Sequence, residues 1–262
     1  MEKEEYRKHF ELEETFWWFV GRRKIIETIL ECHNVIKDGE SNLLDIGCGT
    51  GFNLKEFQEY IKSFGCDLSD EAIYFCKKRN LKRIVKSNAA ELPFKNETLH
   101  IVTLLDVLYH KNIQSDINVI RETKRILKKD GYLLITDSAF NFLFSKHDLA
   151  LHARERYTKE KLRSKLKENG FIILKLSYFN FFIFPVILSV RFFERLTLNK
   201  NIKPESNLKP INNVFNKIFI YILRMEAFFI RYLNFPLGSS LLCLAKKMSK
   251  ISITSIYKCL QE

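Results

Sequence analysis

Residues 43–51 decide the fold and read Leu43-Leu44-Asp45-Ile46-Gly47-Cys48-Gly49-Thr50-Gly51. An apolar run with one acidic residue predicts a buried strand, and three alternating glycines predict a turn that leads into a helix. Glycine adopts positive φ without strain and has no Cβ to block a ligand. We therefore expect a pocket in which the backbone itself touches the ligand. Asp45 suits a cationic or hydrogen-bond-donating ligand group better than a phosphate.

The segment 45–51, DIGCGTG, resembles the first motif of class I S-adenosylmethionine-dependent methyltransferases. The resemblance implies that the turn packs against the amino-acid end and the ribose of S-adenosylmethionine. The candidates for cofactor binding in this motif are Asp45, Gly47, Cys48, Gly49 and Gly51. A dinucleotide-binding turn, G-x-G-x-x-G, competes with this interpretation, but Phe52 stands where its third glycine would fall. A glycine turn without a ligand is the remaining alternative.

Strand and helix patterns alternate along the rest of the chain, which predicts an α/β fold with a parallel sheet. Together with the resemblance, this predicts a Rossmann-like, seven-stranded, mostly parallel sheet with an antiparallel last strand. After the first strand, strands are predicted at 63–67, 83–86, 99–105, 132–137, 171–178 and 239–245. Helices are predicted at 4–33, 53–60, 70–78, 113–127, 159–167, 182–198 and 212–233. The expected domains are an N-terminal helical cap (1–40), a methyltransferase core (41–178 plus 239–248) and a Phe-rich basic helical insertion (179–238).

Two later strand ends carry further candidates for the cofactor site. Asp67 falls at the end of the second strand, beside Leu68, where an acidic side chain accepts both ribose hydroxyls. The alternative role of Asp67, capping the next helix, suits Ser69 or Asp70 better. Asn88 and Ala89 lie in a segment that resembles the adenine-recognising part of methyltransferases. The family usually has Asp in place of Asn88, and Asn88 keeps the acceptor oxygen while losing the charge.

The fourth strand leads to the expected position of the methyl group. Leu105 ends this strand, and the residues up to His110 should face the methyl group and its acceptor. His110 is a candidate general base, because the unperturbed pKa of histidine lies near the working pH. A purely structural histidine is the alternative. His152 and Tyr157 come just before the cap of a predicted helix, where comparable methyltransferases place acceptor-binding residues. The candidate catalytic residues are therefore His110, His152 and Tyr157.

Four consecutive aromatic residues at 16–19 precede Gly21 and two arginines. Four neighbours cannot share one helical face, so some of these rings must contact something other than the helix's own core. A subgroup of methyltransferases, the type 11-like members, carries a similar segment. That resemblance implies that these aromatics, Trp18 among them, and Arg22 or Arg23 roof the cofactor site. A hydrophobic plug over one end of the sheet is the alternative.

The formal net charge is +12, and residues 191–262 alone contribute twelve Lys/Arg against four Asp/Glu. Twelve of the 23 phenylalanines lie between residues 171 and 235. A basic, Phe-rich segment suits a membrane surface or an apolar, anionic substrate better than a nucleic-acid groove. The apolar run 179–190 is shorter than a membrane-spanning helix requires. For the insertion 179–238, a lid over the acceptor, an interfacial anchor and a dimer interface all stay open.

The predicted function is transfer of a methyl group from S-adenosylmethionine to an O or N atom. The expected acceptor is a small, hydrophobic or lipid- or glycan-linked molecule. An RNA-acting methyltransferase and a catalytically silent, cofactor-binding scaffold are the alternatives. The six cysteines lack metal-ligand spacing, and we expect no metal and no nucleic-acid partner. The charged N-terminus lacks a secretory signal, so we expect a cytoplasmic protein, with peripheral membrane contact through 179–238 or homodimer formation as open options.

Overall fold

The computed structural model describes residues 1–36, 41–196, 206 and 208–248, without the side chains of residues 195 and 196. The predicted end of the N-terminal cap at residue 40 and the predicted helix end at residue 198 lie outside the described residues. Residues 197–205 and 207 of the predicted insertion also lie outside the described residues.

Seven strands and nine α-helices are found in the described residues. The strands are β1 (Asn42–Ile46), β2 (Lys62–Asp67), β3 (Ile84–Lys86), β4 (Leu99–Leu105), β5 (Leu127–Ser138), β6 (Phe171–Phe179) and β7 (Ser240–Lys247). The helices are α1 (Lys3–Leu12), α2 (Trp17–Cys32), α3 (Phe52–Gln58), α4 (Asp70–Lys78), α5 (Asp116–Ile126), α6 (Lys146–Ala150), α7 (Lys159–Glu168), α8 (Phe184–Leu196) and α9 (Asn213–Ile230). A short 3₁₀ helix covers Asn141–Leu143.

The strands form one sheet in the order β3-β2-β1-β4-β5-β7-β6. All neighbours from β3 to β5 run parallel, and β7 runs antiparallel to both β5 and β6. The strand order reverses between β1 and β4, which is the point where ligands bind in open α/β sheets. The predicted Rossmann-like fold class is confirmed.

Local sequence explains why the elements begin where they do. The interior of β1 is buried on both faces, as expected for a central parallel strand covered by helices on each side. The hydroxyl groups of Ser69 and Thr158 accept hydrogen bonds from the first turns of α4 and α7. Each satisfies a backbone N–H that the helix leaves without a partner.

The N-terminal region differs from the continuous helix predicted for 4–33. The structure has two helices, because the chain turns at residues 13–15 and Phe16 is extended. Phe16 and Phe19 are buried in a cluster with Leu208, and Trp17 packs against this cluster. Trp17 also contacts Phe219 of α9, with ring centroids 5.3 Å apart and the two rings tilted by 56°.

Helix α9 belongs to the same core as the sheet. Its Ala227 and Ile230 lie in one apolar cluster with Ile25 and Ile29 of α2 and with Leu43 of β1. The two helices approach so closely that a Cβ at Gly21 would lie 2.1 Å from Leu223. Among the described residues, no helix combines the length and the hydropathy needed to cross a bilayer.

Candidate active site

A cavity of about 860 Å³ lies at the carboxyl ends of β1, β2 and β4, beneath α1 and α2. This volume falls in the range of roughly 300–1,000 Å³ that is typical of small-molecule sites. The predicted residues that line it are Trp18, Arg22, Gly47, Cys48, Gly49, Asp67, Leu68, Asn88, Ala89, Leu105, His110 and His152. Asp45, Gly51 and Tyr157 do not line it.

The three glycines of the turn have positive φ, at 68°, 57° and 85°, but they serve different purposes. A Cβ at Gly47 would lie 2.6 Å from Val107, and one at Gly51 would lie 2.5 Å from Leu81. These two positions therefore require glycine for packing as well as for conformation. A Cβ at Gly49 would meet no protein atom within 4 Å. Gly49 alone faces open space, which is the arrangement expected where a ligand approaches the backbone.

Asp67 holds the turn and the start of α4 together. One carboxylate oxygen accepts the backbone N–H of Gly49 and the other accepts that of Ser69, both at 2.9 Å. Burial raises the pKa of Asp67, and these backbone donors oppose the rise. Each carboxylate oxygen keeps a further lone pair for a ligand hydroxyl. Asp67 therefore shapes the turn and still presents acceptors to the cavity.

Asp45 lies one layer below the cavity, contrary to the expectation that it would touch the ligand. It shares a face of β1 with Leu43, because side chains alternate along a strand. The Thr103 hydroxyl donates to its Oδ1 at 2.6 Å, and Oδ2 has no hydrogen-bond partner in the described part of the chain. Burial raises the pKa of Asp45 to about 7.

Arg22 crosses from α2 to the end of β4. Its Nη1 donates to Asp106, and its guanidinium carbon lies 4.5 Å from the centre of the Trp18 ring. Burial raises the pKa of Asp106, and the charge of Arg22 opposes that rise. Arg22 Nε is buried and has no hydrogen-bond partner among the described residues. An unpartnered buried donor costs roughly 1–3 kcal/mol, so a ligand acceptor at this point would stabilise the site.

The side chains expected near adenine border the cavity beyond β2 and β3. Ala89 is buried, whereas Leu68 and Asn88 are exposed. The Asn88 oxygen accepts the backbone N–H of Ala90 at 3.0 Å. That bond uses one lone pair of the amide oxygen and leaves the other for a ligand amino group.

His110 and His152 lie side by side, with ring centroids 5.9 Å apart. The α-amino group of Met1 lies 3.1 Å from Nε2 of His110 and 3.1 Å from Nδ1 of His152. Glu2 contacts the other nitrogen of His152 at 2.6 Å. Burial lowers the pKa of His110 to about 4, so its imidazole is neutral at pH 7. The two histidines thus form a polar corner between β4 and the segment before α7.

Tyr157 is not placed as a catalytic residue would be. Its side chain is fully buried in the core, and its hydroxyl donates to Asp116 of α5. The Asp116 carboxylate also forms ion pairs with Arg154 and Lys165. Tyr157 therefore anchors the loop before α7 from below, and the adjacent Arg156 lines the cavity instead.

Two groups of cavity residues were not among the named candidates, although a lid over the acceptor was one of the three roles left open for 179–238. The segment 183–191 supplies an apolar wall through Ile183, Val186, Ile187 and Val190. His9 and His147 also line the cavity, and burial lowers their pKa values to about 3 and about 4. The i, i+3, i+4 and i+7 spacing of the apolar wall was visible in the sequence. The sequence did not show which side of α8 faces the cavity, because α8 is also apolar on its outer side.

Several residues of this cavity also lie in a segment that is similar to known proteins. Residues 44–135 match the family model of the methyltransferase domain Methyltransf_11. This segment is a class I S-adenosylmethionine-dependent methyltransferase domain. The matched segment contains the glycine turn, Asp67, Asn88 and His110. S-adenosylmethionine is the cofactor of this class of domain.

Two curated relatives align with part of this chain. The uncharacterized protein MJ1252 of Methanocaldococcus jannaschii is 38% identical over 102 residues, which are 38% of this chain and 38% of that protein. The uncharacterized methyltransferase YcgJ of Bacillus subtilis is 30% identical over 106 residues, 37% of this chain and 41% of that protein. The chain thus spans about two fifths of the length of these relatives.

A solved structure extends the likeness to most of the fold. A SAM-dependent methyltransferase from Archaeoglobus fulgidus superposes with a TM-score of 0.56 and 21% identity. The match covers 86% of this chain and 94% of that chain. At this identity the similarity is one of fold.

The residues at the cavity fit the cofactor of the domain. S-adenosylmethionine carries an amino-acid end, a ribose and an adenine. The unpartnered Nε of Arg22 suits a carboxylate, and the Asp67 oxygens suit hydroxyl groups. Gly49 follows β1, which lies in the sheet between β2 and β4. Asp67 ends β2, and Arg22 pairs with Asp106 directly after β4, so the open space beside Gly49 adjoins both groups.

Proposed function

We propose that the protein transfers a methyl group from S-adenosylmethionine to an O or N atom of a hydrophobic small molecule or of a lipid- or glycan-linked acceptor. One observation carries this proposal. A single cavity is lined at one end by the glycine turn and Asp67, and at the other by the apolar side chains of 183–190. The polar end suits the methyl donor, and the apolar end suits the acceptor.

Four groups of the chain bind the cofactor in this proposal. The backbone at Gly49 approaches the amino-acid end and the ribose without a Cβ in between. Asp67 accepts the ribose hydroxyls, and Asn88 accepts the adenine amino group with its second lone pair. Arg22 donates its free Nε–H to the carboxylate, while Asp106 and Trp18 hold the guanidinium in place.

Bound S-adenosylmethionine supplies an electrophilic methyl group on a sulfonium. The chain's task is to align the acceptor with the carbon–sulfur bond and to exclude water. Such alignment accounts for roughly 7–11 kcal/mol in well-oriented systems. Leu105 and Val107 at the end of β4 form the apolar floor on which the two reactants meet.

An O–H or N–H acceptor loses a proton as the new bond to carbon forms. His110 and His152 accept hydrogen bonds from such a group when the Met1 amine is displaced from between them. The low pKa of His110 keeps its imidazole neutral, so a ring nitrogen is free to accept a hydrogen bond and to orient the acceptor. The same low pKa makes it a weak base, so it takes the proton only as the new bond to carbon forms. The acceptor's electron pair forms the C–O or C–N bond, and the electron pair of the broken C–S bond stays on sulfur.

The apolar wall favours a hydrophobic acceptor over a polar one. Ile183, Ile187 and Val190 line the cavity together with Leu208 and Phe219. A polar acceptor would leave its hydrogen-bonding groups without partners along this wall, at a cost of roughly 1–3 kcal/mol each.

The test is transfer of a labelled methyl group to fractionated cell extracts. We expect label in the lipid or apolar small-molecule fraction, and loss of that label in the Gly49→Leu variant. Label in the RNA fraction, steeply reduced by salt, would replace the proposed acceptor with RNA. If S-adenosylhomocysteine never accumulates with any fraction although S-adenosylmethionine binds, the protein is a cofactor-binding scaffold instead.

A further inference from the structure

The outward surface of α8 and α9 is unusually apolar. Of the 23 exposed large hydrophobic side chains among the described residues, 16 lie between Phe182 and Leu237. Helix α9 is buried on one side, where Leu223, Ala227 and Ile230 are almost fully covered. A helix that is apolar on both sides is normally buried on both, so the outward side calls for a partner.

The outward residues of α9 form a regular stripe. Its members are Ile218, Tyr221, Met225, Phe228 and Tyr232, separated by alternating steps of three and four residues. This spacing keeps them on one side of the helix. Tyr221 is 66% exposed and Tyr232 is 72% exposed, so the described residues leave the stripe open.

A row of cations flanks this stripe. Lys217, Arg224 and Arg231 are seven residues apart and therefore lie along one edge of it. All three are exposed, and Arg231 lies 3.5 Å from Glu31. Glu226 supplies the only acidic group of α9, and it is fully buried. The exposed charges of α9 are thus of one sign.

The combination of stripe and cations points to an anionic partner with an apolar interior. Long basic side chains reach the headgroup level while aromatic rings lie at the acyl boundary. A second copy of the chain fits less well, because a two-fold contact through this stripe would bring the same cations together. We propose that the outward face of α9, together with the adjoining start of α8, docks the protein on an anionic lipid bilayer surface.

Helix α8 connects this face with the cavity. Phe182, just before α8, contacts Phe229 of α9 with ring centroids 6.3 Å apart. The inward residues Ile187 and Arg191 line the cavity, while Leu188 and Phe192 are exposed on the outer side. One helix therefore separates the acceptor end of the cavity from the docking face. This route for a lipid-linked acceptor rests on the proposed function, whereas docking itself does not.

The experiment is flotation of the full chain with two kinds of vesicle, phosphatidylcholine alone and phosphatidylcholine with phosphatidylglycerol. We expect binding to the anionic vesicles to exceed binding to the neutral ones by more than about tenfold, since each cation near the surface contributes about 1 kcal/mol. Binding should weaken as salt rises, because screening shortens from ~10 Å at 0.1 M to ~3 Å at 1 M.

A pair of matched variants localises the contact. Tyr221→Ser with Arg224→Gln removes one exposed tyrosine and one cation three residues apart on α9. Tyr74→Ser with Lys77→Gln removes one exposed tyrosine and one lysine at the same spacing on α4, where Tyr74 is 62% exposed. We expect the α9 pair to lose at least about fivefold in vesicle binding and the α4 pair to match the wild type.

Several results would overturn the docking proposal. These are equal binding to both vesicles, no binding to either, or equal loss in both variant pairs. Light scattering on the same samples tests the other occupant: a dimer in the wild type that becomes a monomer in the α9 pair would assign this face to a second copy. S-adenosylmethionine binding and methyl transfer are measured separately, so failure of docking and failure of the methyltransferase proposal give different results.

Discussion

The two ends of the cavity are built in different ways. At the glycine turn, backbone groups and one carboxylate form the surface, and the contacts of Asp67 with Gly49 and Ser69 are fixed by hydrogen bonds. At the outer end, α8 forms the surface with aliphatic side chains, and its other side faces away from the protein. Directional contacts define one particular ligand, whereas apolar walls accept a class of ligands. This difference explains why the residues specify the methyl donor more narrowly than the acceptor.

The strongest test of this contrast is Gly49→Leu. The new side chain would occupy the open space beside the turn, so we expect S-adenosylmethionine affinity to fall by more than about 1,000-fold, or ~4 kcal/mol. Isothermal calorimetry measures the affinity. Gly170→Leu is the matched control, because Gly170 also has positive φ, at 80°, and lies outside the cavity. Unchanged affinity in the Gly49 variant would remove the turn from the site.

The second prediction concerns the outer end and its pH dependence. Glu226 of α9 accepts the backbone N–H of Phe182, and burial raises its pKa to about 7 from an ordinary 4.5. A raised carboxyl pKa contributes stability below pH 4.5, and this contribution is lost as pH rises to about 7. Replacing Glu226 with Gln removes the titration.

We therefore expect Glu226→Gln to gain stability relative to the wild type between pH 4.5 and pH 7, by roughly 3 kcal/mol, with no further change outside that window. Urea unfolding at several pH values measures the difference. Cofactor affinity should stay unchanged, because Glu226 does not line the cavity. A difference that does not vary with pH would show that Glu226 ionises normally.

A third prediction examines the amino-acid end of the cofactor. Arg22→Lys keeps a cation beside Asp106 but removes the Nε donor and the planar stacking on Trp18. We expect about a tenfold loss of affinity for S-adenosylmethionine, or ~1.4 kcal/mol. An analogue without the carboxylate should bind the variant and the wild type equally. Arg23→Lys, whose side chain does not line the cavity, should leave both affinities unchanged.

The smallest expected effect is a gain at the adenine end. Asn88→Asp restores the charge that related methyltransferases usually carry at this position, and charge-assisted hydrogen bonds are stronger than neutral ones. We expect about threefold tighter binding of S-adenosylmethionine, or ~0.7 kcal/mol. An analogue with inosine in place of adenosine lacks the amino group and should show no gain. Equal gains for both compounds would place the effect elsewhere than at adenine.

The sequence predicted the position of residues that come directly after a strand. The glycine turn and Asp67 are two examples, because the carboxyl ends of parallel strands meet at one edge of the sheet. The cap expected before the predicted helix 159–167 is present at Thr158. Asp45 and Tyr157 were misplaced, since polarity near a strand end does not reveal whether a side chain points into the cavity or into the core.

Other features depended on contacts between distant parts of the chain. The break between α1 and α2 accompanies burial of Phe16 against Leu208, which lies almost two hundred residues away. His110 and His152 likewise lie in two separate loops, and no local sequence pattern predicts that their rings come together. Such contacts carry no signature in a single sequence, because either partner alone is compatible with several environments.

The sequence by itself determined the class of fold and predicted which residues form the methyl-donor end of the site. These depend on periodicity, on glycine conformation and on the order of strand ends, which are properties of short segments. Only the tertiary structure decided that Gly49 alone faces open space, that Arg22 keeps a free donor, and that α8 walls the cavity. The physical reason is that burial and direction are set by packing between segments, whereas conformation and polarity are set within them.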